Sequence, residues 1–422
     1  MATAAETQPQ LVTQSGPRVM LVTRHFWPHA SGQHETAAAA MRLARFWADG
    51  GMAVEVVTPK YESSWPSQFV WGSVIVHRLA VAPRSEWSNS RYVRLLGQWL
   101  NQQSERLDAI VGDQMREDVP AIASVASVSE NESNAANVRP TRRYAICGGV
   151  GHDGDLAWCQ RARAGTRTMK AITRLDQIIT TSSATDRALM AQGIADKQLH
   201  RMTVPLVRHR AVSTARRNAA RKALALANSD MATTSQSRVL LWCGSMEGRP
   251  GIESGIGRIV GSARLLLARY PDMRLWLIGD GPLRDWAHTE LRAEGVRSLV
   301  AMPGSFPDMT DVMDSVDGVI ATDAAQVRDL LWDVMRRAIP LIAPDDVAFK
   351  SAWSFCENAQ MADCIAWYSA TQPKSLRKAV RAVWDDLPTS QQLATGLADY
   401  LYRTMPATEC FEQWRLLLGC KT

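Results

Sequence analysis

The sequence predicts an α/β protein made of two doubly wound domains, and three observations carry that prediction. Short apolar runs of strand length alternate with helix-period segments along the whole chain. The alternation breaks once, at a basic stretch followed by "NSDMATTSQS", and then restarts. The chain has 422 residues, long for one hydrophobic core and suited to two.

Taken in order, residues 1–17 have no basic segment followed by an apolar core. They read as a disordered lead, not a secretion signal. "VMLVT" (19–23) is the first strand candidate. A helix follows with Ala37, Met41, Ala44 and Ala48 on one face and a Gly stop. "VEVVT" (54–58), "VIVHRL" (74–79), "DAIV" (108–111), "YAIC" (144–147) and "DQIITT" (176–181) continue the rhythm. This βαβ pattern implies a parallel sheet covered by helices over residues 18–207. Residues 114–140, rich in Ser, Asn, Glu and Ala, are expected to include a mobile insertion. Residues 208–237 are expected to be a linker.

The second domain is expected over 238–400. Its strands are "RVLLWC" (238–243), "MRLWLI" (273–278), "SLVAM" (298–302), "GVIA" (318–321), "IPLIA" (339–343) and "CIAWY" (364–368). Between the first two, Ile256, Ile259, Val260, Ala263 and Leu267 recur at helical spacing. From Ser375 onward the pattern is helical, with residues 401–422 as a C-terminal helix that could cross back to the first domain. In such an architecture a ligand belongs in the interdomain cleft, at the carboxyl ends of the strands.

Composition narrows the function classes. With 46% hydrophobic and 21% charged residues the chain reads as soluble and globular. No apolar run approaches the ~18–20 residues of a transmembrane helix. The seven cysteines are scattered without a CxxC pair, which argues against a disulfide framework or zinc site and fits a reducing compartment. The net charge of +6 is unevenly placed. Residues 157–174 hold Arg161, Arg163, Arg167, Lys170 and Arg174. Residues 206–222 hold Arg208, Arg210, Arg216, Arg217, Arg221 and Lys222. Neither stretch of positive residues is balanced by nearby sequence acids of its own basic run, so each is either a solvated face or a surface for an anionic partner. No nucleic-acid-binding motif is present, and nucleic acid is not expected as a partner.

Three motifs could carry chemistry. In "LVTRHFWPHASGQHE" a strand feeds a loop with Gly32, where a phosphate could approach backbone N–H groups at a helix start. In "LLWCGSMEGRPGIESGIGR" a strand ends at Gly244, and a glycine-rich loop with Gly251 could lie against a diphosphate, with Arg249 as charge partner. It is neither a GxGxxG in register nor a Walker A loop. In "RLWLIGDGPLRDWAHTEL" a strand meets the turn Gly279-Asp280-Gly281-Pro282, with Pro opening a helix.

Together these stretches resemble the group 1 (family 4-like) glycosyltransferases of GT-B fold, over most of residues 18–345. "LIGDGPLRDWAHTELRAEGVRSLVAMPGSFPDMTDVMDSVDGVIA" is similar to the family's second domain, and "VMLVTRHFWPHASGQHETAAAAMRLARFWADGGMAVEVVTPK" to its first. The resemblance implies two Rossmann-like domains, a nucleotide-sugar donor on the second, an acceptor facing the first, and transfer with retention. It implies no obligatory metal and no cofactor beyond the donor. Gly32 falls on the family's first-domain glycine loop, and His152 on a histidine near the reacting sugar. Gly244, Ser245, Pro250 and Gly251 fall on the diphosphate clamp, where the family's arginine has become Ser245 and its lysine Pro250. Arg249, one place earlier, is the remaining cation. In "TDAAQVRDLLWDVMRRAIPLIAPDD" the family's second glutamate becomes Asp333, its first Ala325 and its glycine Ala338, while Met335 and Pro340 keep the frame. Asp333 could accept hydrogen bonds from ribose hydroxyls; Asp323 and Asp329 lack the spacing.

The resemblance therefore implies a divergent glycosyltransferase acting on a glycan, lipid or small-molecule acceptor. The alternative is an inactive relative that binds or regulates within polysaccharide biosynthesis, because fold does not guarantee chemistry. Either would be cytoplasmic, or peripheral to the inner membrane face if the acceptor is anionic or lipid.

Overall fold

A computed structural model describes residues 16–28, 37–126, 141–148, 154–202, 212–251, 254–322, 330–351 and 358–419. It contains two sheets. The first runs in the order β3-β4-β2-β1-β5-β6-β7-β8. Its strands are β1 (Arg18–Val22), β2 (Ala53–Pro59), β3 (Gln68–Trp71), β4 (Val74–Leu79), β5 (Ala109–Gly112), β6 (Arg142–Ile146), β7 (Gln177–Thr180) and β8 (Leu199–Arg201). All neighbours are parallel except the β3–β4 hairpin. The second sheet is wholly parallel, in the order β11-β10-β9-β12-β13-β14. Its strands are β9 (Arg238–Cys243), β10 (Met273–Ile278), β11 (Val300–Gly304), β12 (Gly318–Ile320), β13 (Leu341–Pro344) and β14 (Ala366–Tyr368).

The apolar runs form strands because both faces of each sheet are covered. Val19 and Leu21 of β1 face one apolar layer and Met20 and Val22 the other. In β9, Val239 and Leu241 point one way and Leu240 and Trp242 the other. A strand buried on both faces shows continuous rather than alternating hydrophobicity. The helix Gly255–Arg269 buries Ile256, Ile259, Val260, Ala263 and Leu267, as their spacing predicts. The helix Ala37–Asp49 buries Ala37, Ala44 and Ala48, while Met41 is half-buried; Trp47, fully buried, anchors it. β3 and β8 carry too little apolar signal to be read from sequence. Both lie at sheet edges, where strands are short and half-exposed.

Three expectations about the connections change. Residues 208–237, expected as a linker, hold the helix Thr214–Ala227. Its arginines are consumed internally: Arg216 pairs with Asp311 and Asp314, and Arg217 and Arg221 with Asp317. The basic run at 206–222 thus fastens this helix to the second domain through those three residues. The expected insertion at 114–140 is packed structure over 114–126, with Val119, Ala121, Ile122 and Val125 buried; its remainder lies outside the described residues. The C-terminal segment is two helices, Leu387–Thr404 and Ala407–Leu417.

The last helix packs on the first domain. Trp414 meets Trp47 edge-on at 4.9 Å, and Phe411 meets Phe46 at 5.8 Å. A side chain on Gly50 would place Cβ 1.9 Å from the Phe411 ring, so this docking needs glycine there. Among the described residues no helix is long and apolar enough to cross a membrane, and Cys159 and Cys364 are free thiols.

Candidate functional site

Each sheet has one point where strand order reverses. In the first it lies between β1 and β5, in the second between β9 and β12. The loops leaving the carboxyl ends of such strands diverge to opposite faces and open a crevice, the usual ligand site of doubly wound sheets. Residues 23–36 and 113–118 leave the first switch point; residues 244–254 and 321–331 leave the second.

The loop after β9 is the glycine loop of the sequence. Gly244 is buried and bonds Ile278 O through its N–H at 3.0 Å; Ser245 is half-buried. Arg249 stands exposed on the loop with no ion pair among the described residues. Gly248 and Gly251 have φ of 99° and 111°, a left-handed backbone that favours glycine. The loop then closes on the first turn of the helix Gly255–Arg269. Ser254 Oγ caps that helix, accepting from Gly257 N at 3.1 Å and donating to Gly251 O at 3.1 Å. The Gly279-Asp280-Gly281-Pro282 turn braces the loop from beside it. Met246 N donates to Asp280 O at 3.0 Å, and Leu283 N to Met246 O at 2.9 Å. A Cβ on Gly281 would lie 2.7 Å from Met246 O. Gly244, Ser245, Arg249 and Gly251 thus share one braced loop at the N-terminal end of a 15-residue helix.

The end of β12 is pinned from three sides. Thr322 Oγ1 accepts from Trp242 Nε1 at 2.9 Å, Thr322 O accepts from Arg258 at 2.8 Å, and Ala321 O accepts from Tyr368 OH at 3.0 Å. Asp323, Ala325 and Asp329 lie outside the described residues. Asp333 stands in the helix Trp332–Arg336, and its carboxylate is already occupied. One oxygen is 2.7 Å from Arg336 Nε and 3.1 Å from Arg337 Nη1; the other accepts from Arg42 Nη1 at 3.2 Å. Burial pulls the Arg336 guanidinium below its ordinary range, against the pull of Asp333. Arg337, with 1% of its side chain exposed, also holds Asp314, which takes Arg216 as well. Burial alone would raise the Asp314 carboxyl, but these two arginines hold it below its ordinary range. Asp333, the expected acceptor for ribose hydroxyls, is thus paired with three arginines.

The helix ends in a Schellman motif. Ile339 N bonds Val334 O and Ala338 N bonds Met335 O, both at 3.1 Å. Ala338 sits at the left-handed position with φ 53°, alone among the described non-glycine residues.

On the first domain, carboxylates tie the switch-point loops together. Asp113 accepts from Thr23 Oγ1 at 3.3 Å. Asp118 takes Arg24 Nε with both oxygens, at 2.8 and 2.9 Å, and Arg24 lies over the Tyr92 ring at 5.0 Å. Burial would lower the Arg24 pKa, but Asp118 outweighs it and holds it above the ordinary value. Asp155, fully buried, accepts from Met115 N, Gly148 N and Arg116 Nε at 2.9, 2.6 and 2.8 Å. Gly32 and His152 lie outside the described residues; these three carboxylates brace loops that flank them. Sequence reading missed Asp118 and Asp155. The one signal is an acid at each helix start, Asp155 three residues after His152.

Arg42 belongs to the helix that follows β1, and Asp333 to the helix that follows β12. Their ion pair, at 3.2 Å, joins the two switch-point helices across the domain boundary.

Residues 35–205 match the family model described as "Glycosyl transferase 4-like domain". That match spans most of the first domain. No curated protein sequence matches the chain. Solved structures agree over nearly all of it. Sucrose-phosphate synthase from Thermosynechococcus elongatus superposes with a TM-score of 0.65 at 13% identity, covering 96% of this chain and 100% of that one. WaaG, a glycosyltransferase involved in lipopolysaccharide biosynthesis, gives 0.62 at 14%, with coverage of 96% and 100%. Anabaena HepE, solved with UDP and glucose, gives 0.62 at 12%, with coverage of 96% and 99%. The chain therefore has the two-domain GT-B fold.

Proposed function

We propose that this protein transfers a sugar from a nucleotide-sugar donor to a glycan, lipid or small-molecule acceptor, with retention at the anomeric carbon. The observation that carries the reading is the Arg42–Asp333 bridge, which joins the helices that follow the two switch-point strands and supports a ligand site between the domains. HepE, of the same fold, has also been solved with UDP-glucose, and a donor of that class is the one proposed here.

In this reading the diphosphate lies along Gly244, Ser245 and Gly251, with the first N–H groups of the helix Gly255–Arg269 turned toward it. Arg249 supplies the one side-chain cation of that loop. As the glycosidic bond to the phosphate breaks, negative charge grows on the leaving oxygen. Fixed donors in a water-poor cleft lower that barrier, each by roughly 2.7–4 kcal/mol. Gly32 would approach the same phosphates from the first domain, and His152 would contact the sugar. The reaction would run in the cytoplasm, at the inner membrane face for a lipid acceptor.

One observation favours a second reading, an inactive binding or regulatory relative. Ser245 and Pro250 bring no cations, and both Asp333 oxygens are held by arginines. Titration with uridine-, guanosine- and adenosine-diphosphate sugars, followed by thermal shift and by release of nucleoside diphosphate, separates the two. A retained site raises Tm by mass action. Binding with release of diphosphate supports the transferase. Binding without release supports the inactive relative, and no shift at millimolar nucleotide would sink the donor site altogether.

A further inference from the structure

The two basic runs of the sequence end differently in the fold. The arginines of the helix Thr214–Ala227 are all paired with aspartates. In the other run, Arg167, Lys170 and Arg174 are exposed and form no ion pair among the described residues. Arg167 and Lys170 lie on the helix Gly165–Ile172, which buries Thr168, Ala171 and Ile172.

The helix Glu86–Gln103 covers the same side of the first sheet. Its Tyr92, Leu96 and Leu100 share one apolar layer with Ala171 and Ile172, and the short helix Val119–Ile122 packs against both helices. Its outer face carries Trp87, Arg91 and Arg94, spaced four and three residues apart and all exposed. Trp87 is 73% exposed, and the Arg91 guanidinium lies 5.7 Å from its ring. Glu86 is the one acid of residues 86–103 and 160–174, and Arg163 takes it at 3.1 Å, which fastens the two stretches together. One exposed tryptophan needs no explanation by itself. Here it stands among five cations that no carboxylate neutralises.

Helices laid side by side over a sheet form a broad surface, not a groove. Single-stranded nucleic acid is held in a cationic groove by several stacked rings; this face raises one. Anionic lipid fits better: basic side chains meet headgroup phosphates, and an indole sits at headgroup level. We propose that this face of the first domain docks reversibly on an anionic lipid surface, through Arg91, Arg94, Arg167, Lys170 and Arg174, with Trp87 inserted between headgroups. The helix Glu86–Gln103 follows β4, so Trp87 at its start lies on the side of the sheet from which the switch-point loops leave. For the proposed transferase, docking there would present a lipid-borne acceptor to that side; the docking itself does not rest on the transferase reading.

The test is co-sedimentation of the full chain with vesicles of phosphatidylcholine alone and of equal parts phosphatidylcholine and phosphatidylglycerol. Binding to the anionic vesicles alone is expected, falling steeply as salt rises. Each basic residue near such a surface is worth about fivefold, so Arg167→Gln, Lys170→Gln and Arg174→Gln together should weaken binding about a hundredfold. These side chains are exposed, and an unchanged Tm shows that the variant folds. Trp87→Ala should also weaken binding, by a factor that persists at high salt. Lys374→Gln, Lys378→Gln and Arg381→Gln on the second domain remove the same charge and should leave binding nearly intact. No binding, equal binding to phosphatidylcholine alone, or an equal loss in both triple variants overturns the proposal. So does tighter binding of a mixed-sequence single-stranded DNA at the same salt, which would make the face a nucleic-acid surface. Vesicle binding uses no donor, so its failure leaves the transferase reading standing.

Discussion

Replacing Asp333 by alanine tests the arginine cage most directly. Asp333 pairs with Arg42 and Arg336, and is one of two carboxylates, with Asp314, that hold Arg337. Its removal takes one carboxylate from three guanidinium groups, of which Arg337 keeps Asp314. A pair at ~3 Å is worth several kcal/mol by Coulomb's law at an effective dielectric near 20, before desolvation is subtracted. Arg337 cannot reach water, with 1% of its side chain exposed, whereas Arg42 and Arg336 can partly swing out. The net cost of Asp333→Ala is therefore about 3 kcal/mol, at the low end for breaking a buried pair. In a second domain of this size that lowers Tm by roughly 6–12 °C. Arg42→Ala should cost about 1 kcal/mol or less, since that arginine keeps 27% exposure. Urea unfolding of both single variants and the double variant gives the coupling between them. Asp333→Ala within 0.5 kcal/mol of wild type (about the scatter of a neutral surface change) would refute the cage. So would a variant of full stability that loses nucleotide-sugar binding alone, because that result restores Asp333 to the ribose.

Other perturbations have equally defined outcomes. Ala338→Gly should raise stability by about 0.5–1 kcal/mol, since it relieves a left-handed alanine at some cost in unfolded-chain entropy; a loss in chemical denaturation would contradict the strain. Gly281→Ala drives Cβ against Met246 O and should displace the glycine loop, weakening nucleotide-sugar binding more than it lowers Tm; unchanged binding would detach the turn from the site. Glu55 should carry acid-side stability. Burial pushes its carboxyl up, but His77 and Arg106 outweigh it and hold it down at about 2, against an ordinary 4.5. A depressed carboxyl stabilises above its unfolded pKa, so about 3 kcal/mol is present above pH 4.5 and fades as pH falls toward 2. The wild-type minus Glu55→Gln difference in unfolding free energy should shrink across that window; a flat difference would mean Glu55 is not so held.

Much of the architecture was legible locally. "RVLLWC" and "MRLWLI" became β9 and β10 over those same residues because strands covered on both faces are nearly continuous in apolar residues, while "VIVHRL" became β4 with alternating burial over its first four residues. The helix after β9 was readable from its spacing, and the glycine loop from its composition. The edge strands β3 and β8 were not, since an edge needs little apolar surface. The helix in the supposed linker was hidden by its arginines, which look solvent-bound until Asp311, Asp314 and Asp317 are brought to them.

The sequence by itself determined the central strands of both sheets and the helix after β9. These follow from period, length and turn chemistry, which act over a few neighbouring residues. Only the tertiary structure decided what the charges do. Arg42 and Asp333 are 291 positions apart, and no local pattern announces their pairing. Electrostatic energy depends on distance and burial, not on spacing along the chain. A carboxylate that the sequence offers to a ribose is, in the folded chain, the centre of a cage that joins the two domains.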